Sequence, residues 1–339
     1  MQARHSATLR ATAIAAALLA AAAPAARAET QELRIGIQPG LTYLPFVLMQ
    51  HDRMIEQRAA EAGLGTVTVT WLSVAGGNIM NDAILSGSLD IANSGTPAFF
   101  PLWSKTRGSL DVKGIAAYNA LPLKLNSINP KVRTIRDFTD DDRIALPAVK
   151  ASSQAILLEM AAERAFGPGQ YDRLDAITIS RAHPDAMIAL LSGRSEITAH
   201  FGAPPYQDEE LRNPAVHTVL TGTEVTDGPT TIGMAYATRK FHDTNPKLYG
   251  VYLDALGAAI ARIHADRAGA ATIYLAETKE KDTVENIVAI LSDPEFQFGL
   301  APRGTVMIVR FMHRIGSIKQ DPNSWKDLFF PEIHQLPGS

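Results

Sequence analysis

The chain contains no cysteine. That absence excludes a disulfide framework, thiolate metal sites, a cysteine nucleophile and the lipidated cysteine by which lipoproteins are tethered. A surplus of charge of one sign is missing too, since 32 basic residues face 35 acidic ones for a formal net charge of −3. The basic residues are scattered rather than gathered into a stripe, so nothing invites nucleic acid. The histidines stand singly, without the spacing of a metal centre. Also lacking are a His-Glu-x-x-His pair, a Gly-x-Ser-x-Gly elbow, a Walker loop and the Rossmann glycine fingerprint. The acidic runs Asp140 to Asp142 and Asp208 to Glu210 read as solvated loops. No catalytic pair, metal or cofactor is therefore expected.

Long apolar runs are scarce. The longest, Ala11 to Ala23, follows Arg4 and Arg10 and precedes the small-x-small site Ala26-Arg27-Ala28. It is shorter than the roughly 20 residues that a spanning helix needs, and it reads as an export signal over 1–28, cleaved after Ala28. Cleavage strips three arginines and no acid, leaving a more acidic protein free in a bacterial periplasm, with no disulfide partner.

What is present is a phrase written twice. Ala83 to Ala92 (AILSGSLDIA) returns as Ala189 to Thr198 (ALLSGRSEIT), and each copy runs on into a Gly-x-Pro turn, at Gly95 and at Gly202, followed by Phe99 or Tyr206. Each copy reads as a helix end, a glycine C-cap and a short turn into a strand. Two like units imply two like lobes, and open α/β sheets bind ligands outside the carboxyl ends of their strands.

The elements between support that division. Strand patterns at Glu32 to Ile37, Thr66 to Leu72 and Asp90 to Asn93 alternate with helix patterns from about Pro45 and Asn78. This βαβ rhythm predicts a mostly parallel sheet flanked by helices. After Tyr118 to Pro122 a second series begins, with Thr134 to Phe138, Arg143 to Pro147, a helix opening at Ser152 or Ser153, and Ala176 to Ser180. Thr230 to Thr238 reads as a strand and the remainder as mostly helix, clearest at Leu248 to Ala265 and Asp282 to Ser292. The expected lobes are 29–119 with 228–339, and 120–227, joined by crossings near 118–122 and 223–230.

In the order and spacing of these pieces the chain resembles the periplasmic substrate-binding proteins of ABC importers for nitrate, sulfonates, taurine and thiamine-precursor-type ligands. The matching residues are Leu33 to Ile37 with Tyr43 to Pro45, Ala83 to Ala92 with Asn93 to Gly95, and Ile144 to Pro147 with Ser152 and Ser153. Met234 to Arg239 with Phe241, Asn245 and Pro246 completes the set. One departure is Gln50 to Met54, where the family commonly has a small residue and a glycine followed by an aromatic. The resemblance implies a two-lobed periplasmic-binding-protein fold, a ligand cleft between the lobes, and delivery of the solute to a permease and ATPase complex in the inner membrane.

Helix N-termini at strand ends are the expected anion contacts, because unpaired amides and the positive dipole end point there. Gly76, Gly77 and Asn78 fit this, or form an ordinary glycine turn with an Asn cap. Ser152 and Ser153 are the second-lobe counterpart, one of them being a cap in the alternative reading. Ser94, Gly95 and Thr96 follow the third strand, and His200 and Phe201 occupy the equivalent place in the other lobe, where His200 is equally well read as structural. Gln38 and Tyr43 lie in the first loop; Tyr118 and Asn119 sit at a crossing; Arg181 and His183 precede the second repeated helix, Arg181 being otherwise a solvated surface residue.

The expected function is capture of a small organic anion, sulfonate, taurine-like or nitrate-like. The alternatives are an exported enzyme or sensor on the same fold, and a binding protein for a neutral or aromatic solute such as a thiamine-pyrimidine precursor.

Overall fold

A computed structural model describes residues 28–339 apart from residue 75; the expected export segment lies outside the described residues except for Ala28. In chain order the strands are β1 Glu32–Ile37, β2 Thr68–Ser73, β3 Ile91–Gly95, β4 Lys113–Ala120, β5 Lys124–Ser127, β6 Ile144–Leu146, β7 Thr178–Ser180, β8 Ala199–Phe201, β9 His217–Thr221, β10 Thr231–Ala237 and β11 Gln297–Phe298. They form a six-stranded sheet, β11-β4-β10-β3-β1-β2, and a five-stranded sheet, β7-β6-β8-β5-β9. The chain leaves the first sheet after β4, builds the whole of the second, and returns with β10.

The doubled phrase proves to be the same local structure twice. The helices Gly77–Ser86 and His183–Ser192 both end on a glycine in the left-handed region, Gly87 at φ 75° and Gly193 at φ 61°, where a side chain would be strained. The following strands then join their sheets in equivalent places. β3 lies parallel to β1 with Ile35 opposite Ile91, and β8 lies parallel to β6 with Ile144 opposite Ala199. The orders β2-β1-β3 and β7-β6-β8 are therefore one motif repeated.

Two expectations need correction. Each sheet is mixed rather than mostly parallel in its pairing, because β10 and β5, the strands that receive the chain after each crossing, run antiparallel to both their neighbours. A chain that carries straight on through a hinge enters the next sheet against the direction set by its βαβ units. The second correction is at Thr134 to Phe138, which forms a 3-10 turn, Ile135–Asp137, instead of a strand. Thr134 and Asp137 cap each other's backbone there, so the local hydrogen bonds are spent on a turn.

The helices Leu44–His51 and Pro246–Ala265 pack together on the first sheet, as the apolar face of the latter predicts. The last long helix, Thr305–Arg314, touches both lobes: it packs against helix Thr96–Thr106 of the first and helix Ser153–Phe166 of the second. One continuous buried cluster includes Leu33 and Ile91 of the first sheet and Ile144 and Phe201 of the second.

Candidate functional site

Between the two sheets lies a cleft with a cavity of about 110 Å³. That is room for a small molecule, not a polymer. Its walls are built from the carboxyl ends of strands in both lobes, as the strand-end rule requires. The first lobe contributes Gln38, Thr42 and Tyr43 after β1, Gly76 and Gly77 before a helix, and Ser94 and Gly95 at the end of β3. The second contributes Ser152, Ser153 and Gln154 beyond β6, His183 beyond β7, and Pro204 and Tyr206 beyond β8. Among the described residues no aspartate, glutamate, lysine or arginine lines it.

Its polarity comes from helix ends. The helices Gly77–Ser86, Thr96–Thr106, Ser153–Phe166 and His183–Ser192 all begin at the cleft. Three of the four first turns, at Gly77, Thr96 and His183, have no N-cap side chain bonded to their amides, and in the last two a proline, Pro97 or Pro184, takes one of the amide positions. At the fourth, Ser152 Oγ accepts from the Ala155 amide and donates to the Ala148 carbonyl, so this hydroxyl is spent on the cap. Its neighbour differs. Ser153 Oγ is buried with no hydrogen-bond partner, 3.3 Å from where a Cβ on Gly95 would stand. An unpaired buried hydroxyl costs about 1–3 kcal/mol, which an acceptor in the cleft would recover. Within the first-lobe wall, Gln38 Nε2 donates to Ser94 Oγ at 3.1 Å.

Of the residues singled out in the sequence, Gln38, Tyr43, Gly76, Gly77, Ser94, Gly95, Ser152, Ser153 and His183 meet in this cleft. The others do not line it, for identifiable reasons. Asn78 is exposed on its helix, and the N-cap position belongs to Gly76. Thr96 is buried, its hydroxyl donating to the Thr231 carbonyl at 3.4 Å. Tyr118 is core, its ring edge-on to Phe46 at 4.8 Å and lying where Gly233 has no side chain. Asn119 ties the β1 loop to β10, donating to the Thr42 carbonyl and accepting from the Gly233 amide. Phe201 is fully buried. Arg181 is exposed, and its amide extends the β6–β7 pairing by donating to the Leu146 carbonyl. His200 is wholly buried behind His183, whose Nδ1 it faces at 2.8 Å. Burial and the neighbouring His200 hold the His183 imidazole well below the usual histidine range.

Thr42, Gln154, Pro204 and Tyr206 also line the cleft and were not foreseen. Gln154 carried a local signal, as the residue after Ser153 in a first helical turn; Tyr206 carried only its place after the second Gly-x-Pro turn.

Hydrogen bonds join the two lobes beside the cleft. Tyr206 Oη donates to Glu280 at 2.6 Å, Arg212 pairs with Asp282 at 3.1 Å, and Arg314 grips both oxygens of Glu163 at 2.7 and 2.6 Å. Because Arg314 is more than half exposed, its pair contributes at most about 1 kcal/mol to closure. Arg314→Ala is expected to raise the population with the lobes apart no more than about fivefold, with high salt having the same effect on the native protein. Small-angle scattering would check it; an unchanged radius of gyration would show that the pair does not hold the lobes together.

No protein-family model matches the chain, and no curated protein does. Solved structures do. The alkanesulfonate-binding protein SsuA of Xanthomonas axonopodis pv. citri, bound to MOPS, superposes with a TM-score of 0.67 at 18% identity over 87% of this chain and 96% of that one. The periplasmic aliphatic sulphonate-binding protein SsuA of Escherichia coli gives 0.65 at 18% identity over 89% and 92%. The ligand-binding component of an ABC-type import system from Staphylococcus aureus, with zinc bound, gives 0.66 at 15% identity over 91% and 99%. Among the described residues of this chain, no three histidine or acidic side chains are grouped to hold a metal. The chain has the two-lobed fold of the periplasmic substrate-binding proteins.

Proposed function

We propose that this protein is the exported solute-binding component of an ABC import system, closing its two lobes on a small organic anion of the sulfonate class. The lobes are 29–119 with 228–339, and 120–227, and they hinge at the crossings near 118–122 and 223–230. The observation that carries the reading is the convergence of four helix N-termini on a cleft that, among the described residues, is lined by no aspartate, glutamate, lysine or arginine, with Ser153 Oγ buried and unpartnered among them. Uncapped amides and dipole ends favour an anion. The absence of a lining carboxylate removes the repulsion that would oppose one. The sulfonate-binding proteins of the same fold support the choice of anion.

The mechanism is binding rather than turnover. Lobe one offers Gly77, Ser94 and Gly95, and lobe two offers Ser153 and His183. A ligand that touches both sets shifts the hinge toward the closed state by its differential affinity for that state. Delivery requires a permease and its ATPase in the inner membrane, which would meet the closed form.

Residues 29–339, produced alone, would be screened by thermal shift against 1-propanesulfonate, nitrate, acetate and a pyrimidine. A ligand at a hundred times its Kd adds about 2.7 kcal/mol, a rise of several degrees. A response to sulfonate is expected; a response to the pyrimidine alone would overturn the anion reading. Ser153→Ala gives a sharper test, because its two effects have opposite signs. Removing an unpaired buried hydroxyl leaves the unliganded protein equally or more stable, while ligand affinity falls about tenfold. Unaltered affinity would take Ser153 out of the site.

A further inference from the structure

Behind the cleft wall a chain of four polar side chains runs into the second lobe, with Gln154 at one end and Glu210 at the other. Glu210 is fully buried. Its Oε2 accepts from Asn126 Nδ2 at 2.9 Å, and its Oε1 faces His200 Nδ1. The Asn126 amide is fixed in orientation, since Nδ2 also donates to the Gln207 carbonyl at 2.9 Å while Oδ1 accepts from the Thr218 hydroxyl at 3.0 Å. At the cleft end, Gln154 Nε2 donates to the Gly202 carbonyl at 3.3 Å and stands 3.3 Å from His183 Nε2. With a carboxylate acceptor at the buried end and a loosely placed amide donor at the cleft end, two imidazoles complete the chain in only one sense without donor facing donor. His200 Nδ1–H donates to Glu210, His183 Nδ1–H donates to His200 Nε2, and His183 Nε2 is left with its lone pair; a reversed chain would drive the Gln154 amide off His183.

We infer that this buried chain makes His183 Nε2 a hydrogen-bond acceptor in the cleft, selecting ligands whose tail, opposite the acid group, carries an N–H or O–H donor. The inference rests on the sulfonate reading and adds the chemistry of the ligand's other end. Gln154 holds the lone pair only loosely, at a distance beyond the usual N–H range, so a ligand donor can displace it. The groups packed around the ring leave the acceptor role to it. Tyr206 stacks on His183 at 6.1 Å, but its hydroxyl is committed to Glu280. Burial beside His200 keeps the ring neutral. Arg181 and Asp185, its charged neighbours in sequence, are exposed. Glu210 and His200 are positioning residues: they touch no ligand and act by fixing which nitrogen of His183 carries the proton.

Glu210→Gln reverses the chain. The new amide must turn its oxygen to Asn126 Nδ2, which presents its NH₂ to His200 Nδ1, so His200 Nε2 then donates to His183 Nδ1 and His183 Nε2 becomes a donor. The test combines the ¹⁵N signals of the His183 ring with titration calorimetry against 2-aminoethanesulfonate, 2-hydroxyethanesulfonate and their apolar isostere 1-propanesulfonate. In the native protein Nε2 is expected as a pyridine-type nitrogen, with both donor-bearing sulfonates bound about tenfold tighter than the isostere. In Glu210→Gln the signal becomes pyrrole-type and the preference disappears. A pyrrole-type Nε2 in the native protein, or equal affinity for all three sulfonates, overturns the inference while leaving the sulfonate reading standing; both readouts come from the native protein, so they hold if the variant does not fold. Failure of all three to bind overturns the sulfonate reading and this inference with it.

Discussion

Gly77→Ala is expected to abolish tight ligand binding, with affinity falling about a hundredfold while the protein still folds. A Cβ on Gly77 would stand 2.5 Å from Ala98 Cβ and 2.6 Å from Ser94 Oγ, inside any real carbon contact. Neither neighbour is the mobile end of a long side chain. Ala98 sits in the first turn of the helix Thr96–Thr106 and Ser94 lies in β3, so the helix Gly77–Ser86 must retreat by about an ångström instead. Overpacking of this kind costs about 1–3 kcal/mol of stability. The loss of function is larger, because the retreat carries the uncapped amides of Gly77 away from a ligand that must touch both lobes. Calorimetric titration checks the affinity. Ala98→Gly in the same chain removes the nearer clash and is expected to restore part of it; no recovery would place the defect elsewhere than in this contact.

The parts of the fold legible in the sequence are those whose cause is local. Gly87 and Gly193 close two helices by conformational freedom alone, so the doubled phrase marked equivalent units correctly. The loops after β1, β3 and β6 could be placed in the cleft because strand ends and helix starts are written in nearby residues. What could not be read depends on distant partners. The strand β5, Lys124–Ser127, buries Asn126 and Ser127, and polar residues are a poor strand signal until Glu210, Thr218 and Thr198 satisfy them from far along the chain.

The same non-locality divides the candidate ligands of the cleft. Tyr118 and Asn119 lie near the end of β4, where Gly233 makes room for the ring of one and gives an amide to the other, so both are drawn into the core. His200 was weighed between ligand and structural roles. It is buried one side chain behind the wall, and its contact with the cleft passes through His183. Arg181 is exposed beyond the end of β7, the surface place that was its alternative reading, and helix ends surround the cleft instead. A single sequence shows where a helix begins, but not which residues face each other when two such ends are brought together.

The stability contributed by Glu159 is expected to rise, not fall, as pH drops from about 8 to about 5.5. This residue lies in the helix Ser153–Phe166, almost fully buried, with Oε2 lacking any partner. Burial, with the negative charges of Asp175 and Asp172 nearby, pushes its carboxyl up to about 7 from an ordinary 4.5, against a smaller opposing pull from Lys150. The sign follows from proton binding. Between about 4.5 and 7 the folded protein binds a proton at this site that the unfolded chain does not, so unfolding releases one and stability grows as pH falls through 7. The total is roughly 3 kcal/mol, complete near pH 4.5. Below that, Asp142 and Asp282 act in the opposite direction. Hydrogen bonds hold both carboxyls below their usual range, so stability they contribute is lost as they protonate, and His183, kept neutral in the fold, already opposes Glu159 below about pH 6.5. Glu159→Gln keeps the shape of the protonated side chain at every pH. It is expected to raise the melting temperature at pH 8 by about 5 °C and to change it little at pH 5, the difference closing as pH falls between them. Thermal denaturation of both proteins across that range would decide it, and a difference between them that stays constant from pH 8 to 5.5 would show that the Glu159 carboxyl is not raised in the fold.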